Sequence, residues 1–224
     1  ISSFQSIFLV RAHGITTGEA AIWINTPVAL VAASGTFATG WMATRLYKKY
    51  PGAIAWVPAI GLALSVPFYL YAFTTENLLY AGICLGIGGF VKYGYLAAQY
   101  TIGQGVVTMR VRATATAVLL FVVNLIGYGF GPLFIGAISD IFFVSGIVDL
   151  GVTSEELARN QCHPRVIAQL SEPLQNVCGA VYADSLRSAM LITASLYAAC
   201  AFFFLLTWRR LDKDMVDRNP ALAA

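Results

Sequence analysis

The sequence predicts an all-α membrane protein, a helical bundle of about half a transmembrane helix followed by five complete ones. Three observations predict it. Hydrophobic residues make up 58% of the 224 and charged residues only 11%, whereas an ordinary soluble domain carries about 25% charge. The charges are also segregated: no Asp, Glu, Lys or Arg occurs in 20–44, 51–75, 113–139 or 188–208, and 77–109 holds only Lys92. Each stretch is long enough for the roughly 20 apolar residues that cross a bilayer. Finally, the mean hydropathy of +0.71 is more apolar surface than so few charges could shield in a soluble core. A cytosolic enzyme, a nucleic-acid binder and a secreted module are excluded.

The expected spans are about 1–11, 20–45, 52–74, 77–105, 113–140 and 187–209, with a loop at 141–186 and a tail at 212–224. The first apolar run, Ile1–Val10, precedes Arg11 and His13 and as a helix reaches only ~15 Å, half a membrane. No basic region precedes it, which argues against a signal peptide. The chain is therefore expected to be a fragment of something larger.

Alternate turns between spans face the same side. One side collects Arg45, Lys48, Lys49, Arg110, Arg112, Arg209, Arg210, Lys213 and Arg218, nine of fourteen cations; the other holds eight of eleven acids. The positive-inside rule makes the first side cytoplasmic, puts the C-terminus inside the cell and leaves 141–186 outside. The net charge of +3 thus reports topology and implies no anionic macromolecular partner.

In the long loop, Thr153-Ser154-Glu155-Glu156 reads as a helix-starting capping box, and Pro164 could open a second short helix. The alternative there is a disordered loop. Cys162 and Cys178 share this outer segment, where oxidising conditions permit a disulfide. Closing a loop of about 15 residues would contribute roughly 3 kcal/mol. Cys84 and Cys200 fall inside spans as small packing residues. No cysteine or histidine spacing suits a metal, and no cofactor is expected.

Polar groups within spans mark candidate sites. Lys92 lies near the middle of its helix, at a cost of about 2.5–3.5 kcal/mol on insertion scales. No span contains a carboxylate to offset it. Tyr95 and Gln99 follow at i+3 and i+7, so the three form one stripe on an unbroken helix, suited to lining a cavity. The alternative is a lysine packed against backbone carbonyls or snorkelling to one edge. Asn124 and Tyr128, at i and i+4, form a weaker pair whose simpler reading is helix packing. Trp23, Asn25 and Thr26 are weaker still.

Gly82, Gly86 and Gly89 share one face, and Gly127 and Gly131 repeat the small-xxx-small spacing of closely approaching helices. Pro58, Pro67 and Pro132 are expected to break or bend their spans, as in transporters.

The run from Gly40 through Trp41, Met42, Ala43, Thr44, Arg45, Leu46 and Tyr47 to Lys48 and Lys49 resembles the cytoplasmic motif G-x-x-x-D-R-x-G-R-R/K of the major facilitator superfamily. Gly40, Arg45, Lys48 and Lys49 match it; Thr44 and Tyr47 replace its acid and second glycine. Arg110–Ala117, Asn124–Pro132, Gly136–Asp140, Trp56–Ile60, Pro67-Phe68 and Ser185–Arg187 narrow the resemblance to the Spinster branch. That branch is associated with sphingosine-1-phosphate and lysophospholipid transport.

The resemblance covers nearly all of the chain, and it implies the C-terminal half of a transporter, helices seven to twelve, over 1–211. It implies alternating access against an N-terminal six-helix half in a lipid bilayer. The cargo would be an amphipathic anion bound by Lys92, Tyr95, Gln99, Asn124 and Tyr128. Gly40, Arg45, Lys48, Arg110 and Arg112 would form the cytoplasmic gate. Any proton coupling would use residues outside this chain, because the spans hold no carboxylate or histidine. The alternatives are uncoupled movement, an exporter of drugs or small organic anions, and a non-transporting receptor or scaffold. An enzyme is disfavoured, since the spans offer no base for a nucleophile.

Overall fold

The computed structural model describes residues 2–50, 52–149 and 172–215, and those residues are helical wherever they are regular. The elements in order are α1 (Ser2–His13), α2 (Thr17–Glu19), α3 (Thr26–Tyr47), α4 (Ala53–Thr74), α5 (Leu78–Lys92), α6 (Tyr95–Gly105), α7 (Arg112–Val122), α8 (Gly131–Asp149) and α9 (Glu172–Asp214). Wider π-helical turns join α2 to α3 (Ala20–Asn25) and α7 to α8 (Val123–Phe130). Among the described residues five helical stretches, 17–47, 53–74, 78–105, 109–147 and 177–211, are long and apolar enough to cross a membrane.

The first connection is set by local chemistry. Gly14, at φ +68°, takes the left-handed conformation that glycine adopts without steric cost. It ends α1 with a hydrogen bond from its N–H to the Val10 carbonyl. The chain then restarts at once. The Thr16 hydroxyl accepts from the Glu19 N–H, while the Glu19 carboxylate accepts from the Thr16 N–H at 2.8 Å. This is a capping box.

Of the three prolines expected to break or bend their spans, Pro132 follows an irregular turn, as Pro27 also does, and Pro58 and Pro67 do not break theirs. Each π-helical segment ends two residues before a proline, Asn25 before Pro27 and Phe130 before Pro132. A proline ring crowds the preceding turn and offers no N–H. A widened turn relieves both problems without breaking the helix. Pro58 and Pro67 instead lie inside an unbroken α4. A break does come between α5 and α6, at Tyr93-Gly94, with no proline nearby.

The core is built by α1, α4, α5 and α9 around Phe8, Leu9, Tyr69, Phe73, Leu85, Leu186 and Met190. Close helix approach depends on glycines other than those the spacing suggested. A methyl group at Gly35 would strike the Phe90 carbonyl, one at Gly61 the Val91 carbonyl, and one at Gly94 the Thr39 side chain. Gly86 and Gly127 have nothing within 4 Å, and Gly82 only the tip of Ile24 at 3.9 Å. Gly131 has nothing closer than a backbone carbonyl 3.9 Å away. The expected small-residue seams at 82–86–89 and 127–131 are therefore not the tight contacts.

The expected loop 141–186 is shorter than its charges implied. Helix α8 continues to Asp149 and α9 begins at Glu172, because Phe143, Ile147, Cys178, Val181 and Tyr182 close a small apolar cluster between them. Phe143 stacks on Tyr182 with ring centroids 4.1 Å apart. The capping box at 153–156 and the helix at Pro164 lie outside the described residues, as does Cys162. Cys178 is fully buried in that cluster, so its pairing with Cys162 stays an expectation. Cys84 and Cys200 are free thiols; Cys200 is exposed and so is not the packing residue expected.

Candidate functional site

The Lys92 side chain is only 5% exposed and points into the bundle. On α5 it shares the buried face with Ala81, Leu85, Gly88 and Gly89. Its ammonium sits among three tyrosines, 4.3 Å from the ring centroid of Tyr93, 5.0 Å from Tyr69 and 5.2 Å from Tyr197. Its Nζ also donates to the Tyr197 hydroxyl at 3.4 Å. Three ring faces offer a desolvated cation the attraction that water would otherwise supply. The lysine therefore neither snorkels nor leans on backbone carbonyls; it is held in an aromatic cage drawn from α4, α9 and the Tyr93 turn.

This corrects the stripe of Lys92, Tyr95 and Gln99. That stripe assumed one unbroken helix, whereas α5 ends at Lys92 and α6 starts at Tyr95. Beside the break, the Thr36 hydroxyl, which donates to the Ala32 carbonyl at 3.1 Å, also lies 3.4 Å from the Tyr93 carbonyl, and Gly94 closely approaches Thr39. Tyr95 is half-buried, and the Gln99 Nε2 is buried without a hydrogen-bond partner. Asn124 turns back on its own helix, donating to the Leu120 carbonyl at 2.7 Å. Tyr128 is 74% exposed. Of the five, Lys92 and Tyr95 both lie beside Tyr197, and Tyr128 lies near Tyr95; Asn124 and Gln99 are not hydrogen-bonded to them.

A different polar constellation is joined by hydrogen bonds. Gln5 Nε2 donates to Asn25 Oδ1 at 2.8 Å, and Asn25 Nδ2 donates to Ser6 Oγ at 2.8 Å. This chain of amides and hydroxyl joins α1 to the π-helical turn before α3. It forms one wall of a cavity of about 650 Å³, which Thr36, Tyr69 and Tyr93 also line, with Val28, Ala29 and Ala32 as apolar filling. None of the five expected residues is on its wall. Two rings of the Lys92 cage, Tyr69 and Tyr93, are.

A second cavity, about 690 Å³, lies between α3 and α5, and Val28 lines both cavities. Its walls are apolar: Trp23, Ile24, Pro27 and Val31 on one side, Leu79, Ile83 and Ile87 on the other, with Gly82 and Gly86 at the base. The two glycines thus leave an open groove where the spacing suggested a packed seam. The first cavity thus carries several polar groups on a largely apolar lining and the second is almost wholly apolar, the two kinds of lining that an amphipathic molecule would need.

The sequence held partial signals for these residues. Gln5 and Ser6 are polar within an otherwise apolar run, and Asn25 stands two residues before Pro27, but nothing in their spacing pairs α1 with α3. Tyr69 and Tyr197 gave none, since aromatic residues are ordinary in apolar helices.

The expected gate residues gather at one end of the bundle, where α3, α6 and α9 end and α4 and α7 begin. Ile54, Ala55, Ala98, Leu211 and Met215 bury that end. The Arg45 guanidinium lies over the Trp41 ring at 4.7 Å. Gly40 faces Ala97, which a methyl group would meet at 3.3 Å. Gln104 donates to Thr116 at 3.1 Å across the turn carrying Arg110 and Arg112. Lys48 and Arg110 are exposed; Arg112 is partly buried.

At the opposite end, His13 Nδ1 donates to the Glu76 carbonyl at 3.2 Å, tying the end of α1 to the α4–α5 turn. Burial holds its pKa below the ordinary value; the Glu76 hydrogen bond opposes that shift and the nearby Arg187 adds to it. Among the described residues no group of three or more His, Cys, Asp and Glu could hold a metal ion.

Comparison with known proteins agrees with this architecture. No family model matches. An MFS-type efflux pump of Mycolicibacterium smegmatis is 26% identical over 140 residues, which are 62% of this chain and 32% of the pump. Two crystal structures of a bacterial homologue of the human lysosomal transporter Spinster are closer. The inward-facing occupied form is 37% identical with TM-score 0.83, and the inward-facing unoccupied form is 38% identical with TM-score 0.81. Each likeness covers 95% of this chain but only 46% and 44% of the solved chain. The chain thus spans under half the length of the transporters it matches. It has the fold of one half of a major facilitator superfamily transporter, fitting the C-terminal half, and resembles the Spinster homologues.

Proposed function

We propose that this chain is the C-terminal half of a carrier that moves an amphipathic, lipid-like anion across the membrane by alternating access. The observation that carries the reading is the pair of cavities sharing Val28. A polar head would bind among Gln5, Ser6, Asn25 and Tyr93, and an acyl or alkyl tail would lie in the groove between Trp23 and Ile87. An N-terminal half would complete both and rock against this one about the shared site. The end bearing Arg45, Lys48, Arg110 and Arg112 would face the cytoplasm. Lysophospholipids and sphingosine-1-phosphate have the required shape, and the likeness to Spinster homologues favours this cargo class. The test is flux of a lysophospholipid into proteoliposomes holding the complete transporter. Saturable flux above protein-free vesicles supports the reading, and its absence contradicts it.

A second reading is an exporter of drugs or small organic anions. The relative described as an efflux pump favours it. Flux of small aromatic anions in preference to single-chain lipids would distinguish it.

A further inference from the structure

No side chain named on the polar cavity's wall carries a charge: the polar groups are the amides of Gln5 and Asn25, the hydroxyls of Ser6 and Thr36, and the rings of Tyr69 and Tyr93. A charge nevertheless lies against two of those rings. Lys92 Nζ lies 4.3 Å from the Tyr93 centroid and 5.0 Å from that of Tyr69, and Tyr197 closes the cage from α9. The sequence places no Asp or Glu in 77–139 or 185–211, so neither Lys92's own helix nor the spanning part of α9 neutralises it.

The two rings lie against the ammonium and also line the cavity, so the buried charge acts on the cavity across them. A head group beyond one ring would sit roughly 8 Å from Nζ. With an effective dielectric of ~20, a unit charge at that distance favours an anion over a neutral group by about thirtyfold.

We propose that Lys92 is the specificity-determining charge of the carrier. Without touching the cargo, and acting across Tyr69 and Tyr93, it makes the cavity select an anionic head group over a neutral or cationic one. The inference rests on the reading of this cavity as the head-group site.

The experiment uses the complete transporter in proteoliposomes and three single-chain amphiphiles with the same tail. Their head groups are a phosphate monoester, a glycerol and a trimethylammonium. Wild type should show the lowest KM for the phosphate. Lys92→Met should raise that KM at least about tenfold, leave the glycerol KM within about twofold and lower the trimethylammonium KM. Lys92→Arg should keep the wild-type order. Lys92→Gln, which can still hydrogen-bond Tyr197, serves if Lys92→Met is not recovered folded. Equal changes for all three probes, or no change in order, overturn the inference and leave the transport reading standing. Failure of wild type to move any of the three overturns both.

Discussion

A methyl group on Gly88 would stand 3.0 Å from Cε2 of Tyr69. The bare backbone of α5 at Gly88 thus makes room for a ring that both cages Lys92 and lines the polar cavity. Gly88→Ala is predicted to push Tyr69 aside by a few tenths of an ångström and cost about 1 kcal/mol of stability. Gly86→Ala, with nothing within 4 Å, is predicted to cost nothing, because alanine suits a helix better. Thermal unfolding of the two variants in detergent checks the contrast.

Asn25 is the link between α1 and α3. Asn25→Ala removes both of its hydrogen bonds and leaves the Gln5 amide, only 7% exposed, without that partner. Interhelical hydrogen bonds in membranes are worth ~0.6 kcal/mol each, so a loss of roughly 1 kcal/mol is expected. If the cavity takes the polar head, KM should rise several-fold with little change in kcat. Unchanged kinetics with lowered stability would make the network purely structural.

His13 gives the fold a pH dependence of definite sign. Its pKa in the folded state is below the ordinary value, so the unfolded chain binds the proton more readily. Its stabilisation is fully present above the ordinary histidine pKa of about 6.5 and is lost as pH falls through the lower folded value. The wild-type melting temperature should therefore fall more between about pH 7 and pH 5 than that of His13→Asn. Parallel curves would show that His13 does not contribute.

Cys178 has no solvent exposure, and the sequence expects it to pair with Cys162. Without reductant, a thiol reagent applied to the unfolded protein should label Cys84 and Cys200 and spare the other two. After reduction all four should react. Labelling of all four before reduction rejects the bridge.

The five long helices were legible because charges are absent from four stretches and nearly absent from a fifth, a pattern set by the cost of burying charge in hydrocarbon. The shared end of Arg45, Arg110 and Arg209 followed from antiparallel traversal alone. The site was legible only in part. Lys92 stood out as a misplaced cation, but a periodicity argument cannot tell the bundle-facing side of a helix from a cavity-facing one when both are apolar. The break at Tyr93-Gly94 escaped because no proline marks it and the residues beside it, Thr36 and Thr39, belong to another helix. Gly82 and Gly86 matched a packing motif, yet the tight approaches occur at Gly35, Gly61 and Gly94, where a backbone or side chain of a neighbouring helix happens to meet them. The capping box that starts the first full helix, Thr16–Glu19, also escaped, in favour of the one expected at 153–156.

The central claim is that one amphipathic molecule lies with its head in the polar cavity and its tail in the apolar groove. Photocrosslinking of the complete transporter tests it most directly, with a single-chain lipid carrying the reactive group either beside the head or at the tail end. The account predicts head-group adducts on peptides containing Gln5, Asn25 or Tyr93, and tail adducts on those containing Trp23, Ile83 or Ile87. Adducts confined to the outward face of α7 and α8, the same for both probes, would contradict it.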